Sequence, residues 1–135
     1  LRGPVLYMDL DTTIRGDLAP LLEVAKNKRF VALRDFNPDQ RDMGSGLMAW
    51  NGDLSSLYDE FSSDPKAHMD QCRSRRWFGD QGFIDRHVGE REHWQTLIPG
   101  AVVSYKKHCQ NGVPEGARVV CYHGKPRPWE VEECE

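Results

Sequence analysis

Val5-Leu6-Tyr7-Met8-Asp9-Leu10-Asp11-Thr12 is the stretch whose reading decides the fold. Four consecutive apolar residues read as a buried strand, and Asp9 ends it. Alternate residues of an extended chain share one side, so Asp9 and Asp11 bring two carboxylates together at the strand's end. Such a pair suits a hard divalent cation, Mn²⁺ or Mg²⁺.

Outward from this strand, helices and strands alternate. Asp17 caps a helix over 18–26, with Pro20 in its first turn and Leu18, Leu21, Leu22 and Ala25 at helical spacing. Residues 30–33 read as a second strand and 47–50 as a third. The Asp, Asn, Pro and Gly of 35–46 read as a loop between them. Asp53 caps a helix over 54–61, Pro65 starts another reaching Cys72, and a further helix follows Asp80 over 81–87. Two short strands are expected at 94–98 and 102–105, around Pro99-Gly100, and a last one at 118–122. This alternation predicts the α/β class. The 135 residues predict a single domain, 1–135.

With 39% hydrophobic and 29% charged residues, the chain suits a globular protein and not a disordered one. Its net charge of −3 is spread without long runs. The one tight basic cluster, Arg73, Arg75 and Arg76, reads as a solvated helix end, so no nucleic-acid partner is expected. Cys72, Cys109, Cys121 and Cys134 form no C-x-x-C pair, which argues against a zinc knuckle or a thioredoxin-type motif. The composition leaves room for a homo-oligomer. No apolar run approaches the roughly 20 residues of a membrane span, and no signal-peptide pattern is visible. These observations predict a cytoplasmic protein with free thiols. His68, His87 and His93 are expected at the surface, and 104–109 as a polar loop. The four tryptophans are expected to pack, with Trp129 also placed to stack on a ligand.

Four segments, in order, resemble one family. The first strand and Asp9-Leu10-Asp11 run on through Gly16-Asp17-Leu18. Gly44-Ser45-Gly46-Leu47-Met48-Ala49-Trp50 and Gly79-Asp80-Gln81-Gly82 follow, and His123-Gly124-Lys125-Pro126-Arg127-Pro128-Trp129 closes the set. Together they resemble the glycogenin-like glycosyltransferases of family 8. The resemblance implies a nucleotide-diphospho-sugar transferase fold (the GT-A type) with a mixed sheet, seen here from the D-x-D motif onward. In that family a nucleotide-binding β-α-β half precedes the motif, and only residues 1–4 precede it here. It further implies retaining transfer of a sugar from a nucleotide-diphosphate donor, a UDP-sugar foremost, to a sugar acceptor. Asp9, Asp11 and His123 would hold Mn²⁺ or Mg²⁺. Arg127, with Lys125 as a second choice, would contact the diphosphate. Asp80 and Gln81 would face the donor sugar, and Ser45 and Gly46 would bind its hydroxyls. The family's asparagine is replaced by Gly44, which removes one amide from the sugar site.

Two other readings compete. Asp9-Leu10-Asp11-Thr12-Thr13 also resembles the first motif of haloacid-dehalogenase-type phosphatases. Asp9 would then be the nucleophile and Asp11 the acid/base, with Asp80 and Asp85 imitating the last acidic motif. The third reading is a noncatalytic remnant or binding module.

Overall fold

The computed structural model describes residues 2–131; Cys134 lies outside them. The opening apolar run forms β1 (Pro4–Met8), and the residues just past the D-x-D form β2 (Thr12–Ile14). α1 (Ala19–Asn27) starts one residue later than expected, with Leu18 and not Asp17 at the N-cap; Asp17 Oδ1 accepts from Ala19 N at 2.9 Å from just outside the helix. Next come β3 (Phe30–Arg34) and the long β4 (Met43–Asn51). Three helices follow: α2 (Ser55–Ser63), α3 (Pro65–Gln71) and α4 (Gly79–His87). The chain closes through β5 (Glu92–His93), α5 (Trp94–Leu97), β6 (Val102–Ser104), α6 (Tyr105–His108), β7 (Val119–Cys121) and a 3₁₀ turn at Pro128–Glu130.

The strands form two sheets, both of mixed sense, so the protein is α/β. The first has the order β1-β4-β3-β5, antiparallel except for the parallel β3–β5 pair; the second has the order β2-β7-β6, with β6 and β7 parallel. One apolar core spans both sheets. Leu21 of α1, Leu33 and Leu47 of the first sheet and Val119 of the second meet around Trp94, which is fully buried. Among the described residues, no helix is long and apolar enough to cross a membrane.

The D-x-D lies at the seam between the sheets. Asp9 N donates to Gly46 O at 3.0 Å, which extends the β1–β4 ladder by one residue. Asp11 O accepts from Tyr122 N at 2.9 Å, which joins the motif to the second sheet. Each carboxylate is therefore carried by backbone tied to a different sheet.

Four local expectations are corrected. Residues 94–98 are not a strand: Trp94 opens a helical turn, and its indole Nε1 donates to Leu47 O at 3.0 Å. That buried bond fixes the ring against β4 and overrides the strand preference of an aromatic residue. Residues 43–46 belong to β4 and not to the preceding loop, because Met43 and Gly44 pair with Arg34 and Leu33 across a register shift in β3. The polar stretch after β6 is helical, with Ser104 Oγ accepting from Lys107 N at 3.3 Å as its cap. His68 is buried and not at the surface. Trp129, by contrast, is 70% exposed and adds nothing to the core.

Candidate functional site

β1 ends, β4 begins and the chain leaves β7 around one cleft of about 140 Å³. Asp9, Asp11 and His123 line it, as do Ser45, Gly46 and Gln81. Residues drawn from four distant parts of the chain thus share a wall. Gly46 is where β4 comes closest to the motif: a Cβ there would stand 3.5 Å from Asp9 Oδ2.

Each of the three expected metal ligands already has a polar partner. Tyr7 Oη donates to Asp9 Oδ1 at 2.8 Å. The Arg127 guanidinium donates to Asp11 Oδ2 from 116 residues away. His123 Nε2 stands 2.6 Å from Ser104 Oγ, and Phe36 stacks on the imidazole at a centroid distance of 5.3 Å. Lys107 Nζ donates to Phe36 O and ties this support to α6. With these partners in place, the three ligand atoms are not drawn into one tight cluster. Among the described residues the group that is so drawn is Glu60, His68 and His87.

The electrostatics of the cleft follow from crowding. Burial raises the Asp9 carboxyl above the usual range; the Tyr7 hydrogen bond opposes this, Asp11 and Asp80 add to it, and Arg127 again opposes. Tyr7 is pushed up to about 12, first by its bond to Asp9, then by burial and by the charges of Asp9 and Asp80. His123 is held below the usual imidazole value by burial first and by Lys106, so it is neutral at pH 7. A neutral imidazole beside two carboxylates is a donor set of the right chemistry for Mn²⁺ or Mg²⁺ with a nitrogen ligand. Mutual repulsion among Asp9, Asp11 and Asp80 is the condition that a bound cation relieves.

Compared with known protein families and with curated proteins, the chain matches none.

The remaining expected site residues divide. Asp80, in the first turn of α4, is exposed at the edge of the cleft and accepts from Ser45 Oγ at 3.3 Å. Gln81, with its carbonyl oxygen turned toward Arg41, accepts from Arg41 Nε at 3.1 Å and Nη1 at 2.9 Å. Arg127 does not line the 140 Å³ cleft; it lines an adjoining open groove with Asp9, Asp11 and Trp129. The exposed indole of Trp129 therefore flanks the D-x-D. Lys125 lines neither and pairs with Glu130 at 3.4 Å. Of the two acidic residues of the phosphatase reading, Asp85 is bound by Arg91 and does not line the cleft, whereas Asp80 binds Ser45 at its edge.

Sequence reasoning missed Tyr7, Ser104 and Arg41. Tyr7 could have been found from strand alternation, since it shares a side with Asp9. Ser104 carries no local signal, because its partner is 19 residues away.

Proposed function

We propose that this chain is the catalytic portion of a metal-dependent, retaining glycosyltransferase of GT-A type that uses a nucleotide-diphosphate sugar, a UDP-sugar foremost. The observation that carries this reading is the meeting of Arg127 with Asp11, which brings the His123–Trp129 segment onto the D-x-D. Asp9 and Asp11 supply two carboxylates and His123 one imidazole to Mn²⁺ or Mg²⁺. A divalent ion held there stabilises the negative charge of the departing nucleoside diphosphate.

The protein's own groups carry the rest. Arg127 is a fork of donors that fits phosphate as well as carboxylate, so it can exchange Asp11 for a diphosphate oxygen. Trp129 offers a flat face beside the same groove. Ser45 Oγ and the backbone at Gly46 face the cleft as donors and acceptors for sugar hydroxyls. Asp80 positions the Ser45 hydroxyl. Its carboxylate also adds negative charge where an oxocarbenium-like sugar carbon develops positive charge.

The test is release of UDP from a panel of UDP-sugars with Mn²⁺. Asp11→Asn and Asp80→Asn are expected to lower the rate by about 100-fold or more, as the loss of charge-stabilising groups does. Phosphomonoester hydrolysis that survives His123→Ala and is lost in Asp9→Asn would instead support the phosphatase reading.

A further inference from the structure

Away from the cleft, α2, α3 and α4 each contribute one ligand-type side chain to a single point. Glu60, His68 and His87 bring a carboxylate oxygen and two imidazole nitrogens within 4.8 Å of one another. We propose that these residues form a second, independent metal site for a first-row divalent ion of zinc type, which braces the three helices.

Four observations support it. His68 Nε2 lies 3.7 Å and His87 Nε2 3.9 Å from Glu60 Oε1. Both separations are too long for a hydrogen bond. A tetrahedral ion with bonds of about 2.0–2.1 Å spaces its ligands about 3.4 Å apart, so the two separations from Glu60 lie within about half an ångström of that spacing. The spacing thus fits an ion between the groups better than direct contact.

The rings are also oriented for it. His87 Nδ1 lies 2.8 Å from Phe83 O, and a carbonyl only accepts, so Nδ1 carries the proton. That fixes the tautomer and leaves the Nε2 lone pair facing Glu60, the arrangement in which protein-bound histidines hold metals. His68 Nε2 also lies toward Glu60, at 3.7 Å, while its Nδ1 is buried without a hydrogen-bond partner.

The surroundings are apolar and stiff. Phe83 stacks on His87 at 4.3 Å and meets His68 edge-on at 5.0 Å, while Phe61 packs on both Phe83 and His68. The His68 and His87 side chains are only 10% and 25% exposed, whereas that of Glu60 is 51% exposed and gives the ion its entry. Two imidazoles and one carboxylate select zinc over Mg²⁺ or Ca²⁺, which prefer oxygen ligands. Because His87 is the last residue of α4, an ion here would tie that end of the helix to α2 and α3.

The test uses the whole chain, stripped of metal and titrated with Zn²⁺ by calorimetry, in the wild type and in Asp9→Asn/Asp11→Asn. The double variant removes the cleft carboxylates from the count. Two equivalents are expected in the wild type and one in the double variant, and in that double background Glu60→Gln and His87→Gln are each expected to bind Zn²⁺ about 100-fold more weakly. Titration with Co²⁺ should give visible d–d bands that vanish in the same two variants. Glu60 is half exposed, so Glu60→Gln keeps the far-ultraviolet circular dichroism of the parent. Zn²⁺ binding within about twofold of the parent in both Glu60→Gln and His87→Gln would overturn the proposal. So would binding of less than one equivalent in the double variant.

Discussion

The Ser104 hydroxyl and the His123 imidazole meet at 2.6 Å, one from the end of β6 and the other just past β7. Ser104 is fully buried, and its Oγ also accepts from Lys107 N, so it cannot swing away without uncapping α6. In the tautomer whose Nε2 donates to Ser104 Oγ, the lone pair of His123 is on Nδ1.

Ser104→Ala removes that bond while keeping the side-chain volume nearly unchanged. Loss of an outer-shell partner typically costs 10–100-fold in metal affinity. Mn²⁺ affinity of Ser104→Ala, measured by calorimetry, should fall within about that range. Ser104→Thr, which keeps a hydroxyl, should recover part of the loss.

Asp9 should show opposite effects on stability and on binding. Its folded-state pKa is raised by burial and by Asp11 and Asp80, so protonation favours folding. Its contribution is complete below the unfolded pKa and is lost as pH rises through the folded one. The charged form at pH 7 therefore opposes folding. Asp9→Asn should raise the thermal midpoint without metal, by a gain on the order of 0.5–1 kcal/mol, and should also abolish Mn²⁺ binding. Differential scanning fluorimetry with and without Mn²⁺ reads both.

The pH response on the acid side should run through histidine. His93 is held below the usual imidazole value by burial first and then by Arg34 and Arg91, and its Nδ1 is buried without a partner. A depressed folded pKa contributes stability that is present above the unfolded value of about 6.5 and is lost as pH falls through the folded value. The thermal midpoint should fall as the pH drops below about 6.5. It should fall less in His93→Gln. An equal slope in the two proteins would show that other groups carry the acid lability.

Gly82 is the position least able to take a side chain. A Cβ there would stand 2.6 Å from the Trp77 carbonyl carbon and 2.8 Å from its Cα, so the backbone would have to move. Gly82→Ala should cost roughly 1–3 kcal/mol, the range for overpacking, in urea unfolding. It should also displace Asp80 and Gln81, which start the same helix.

Local signals carried much of this architecture. The strand before Asp9 and the helix after Gly79 are readable within a few residues and both form, although the strand expected to be buried lies at the sheet edge with none of its residues buried. What was not readable depends on distant partners. Gly44-Ser45-Gly46 reads as a turn, yet β3 supplies the pairing that makes it strand. Trp94 reads as strand, yet Leu47 O, 47 residues away, holds it in a helical turn. The same applies to the site. The D-x-D announces two carboxylates, but nothing local indicates that Arg127 covers one of them or that Ser104 backs His123. His68 reads as a surface residue because its neighbours Lys66 and Asp70 are polar. Phe61 and Phe83, brought up by the next helices, bury it.

The proposed convergence of Asp9, Asp11 and His123 on one ion is testable by pulsed electron paramagnetic resonance of bound Mn²⁺, because a coordinated imidazole imprints nitrogen modulation on the metal signal. Nitrogen modulation is expected to disappear in His123→Gln and to persist in His87→Gln, and Mn²⁺ is expected not to bind without Asp11. Nitrogen modulation unchanged in His123→Gln, with Mn²⁺ affinity unchanged in Asp11→Asn, would contradict that convergence.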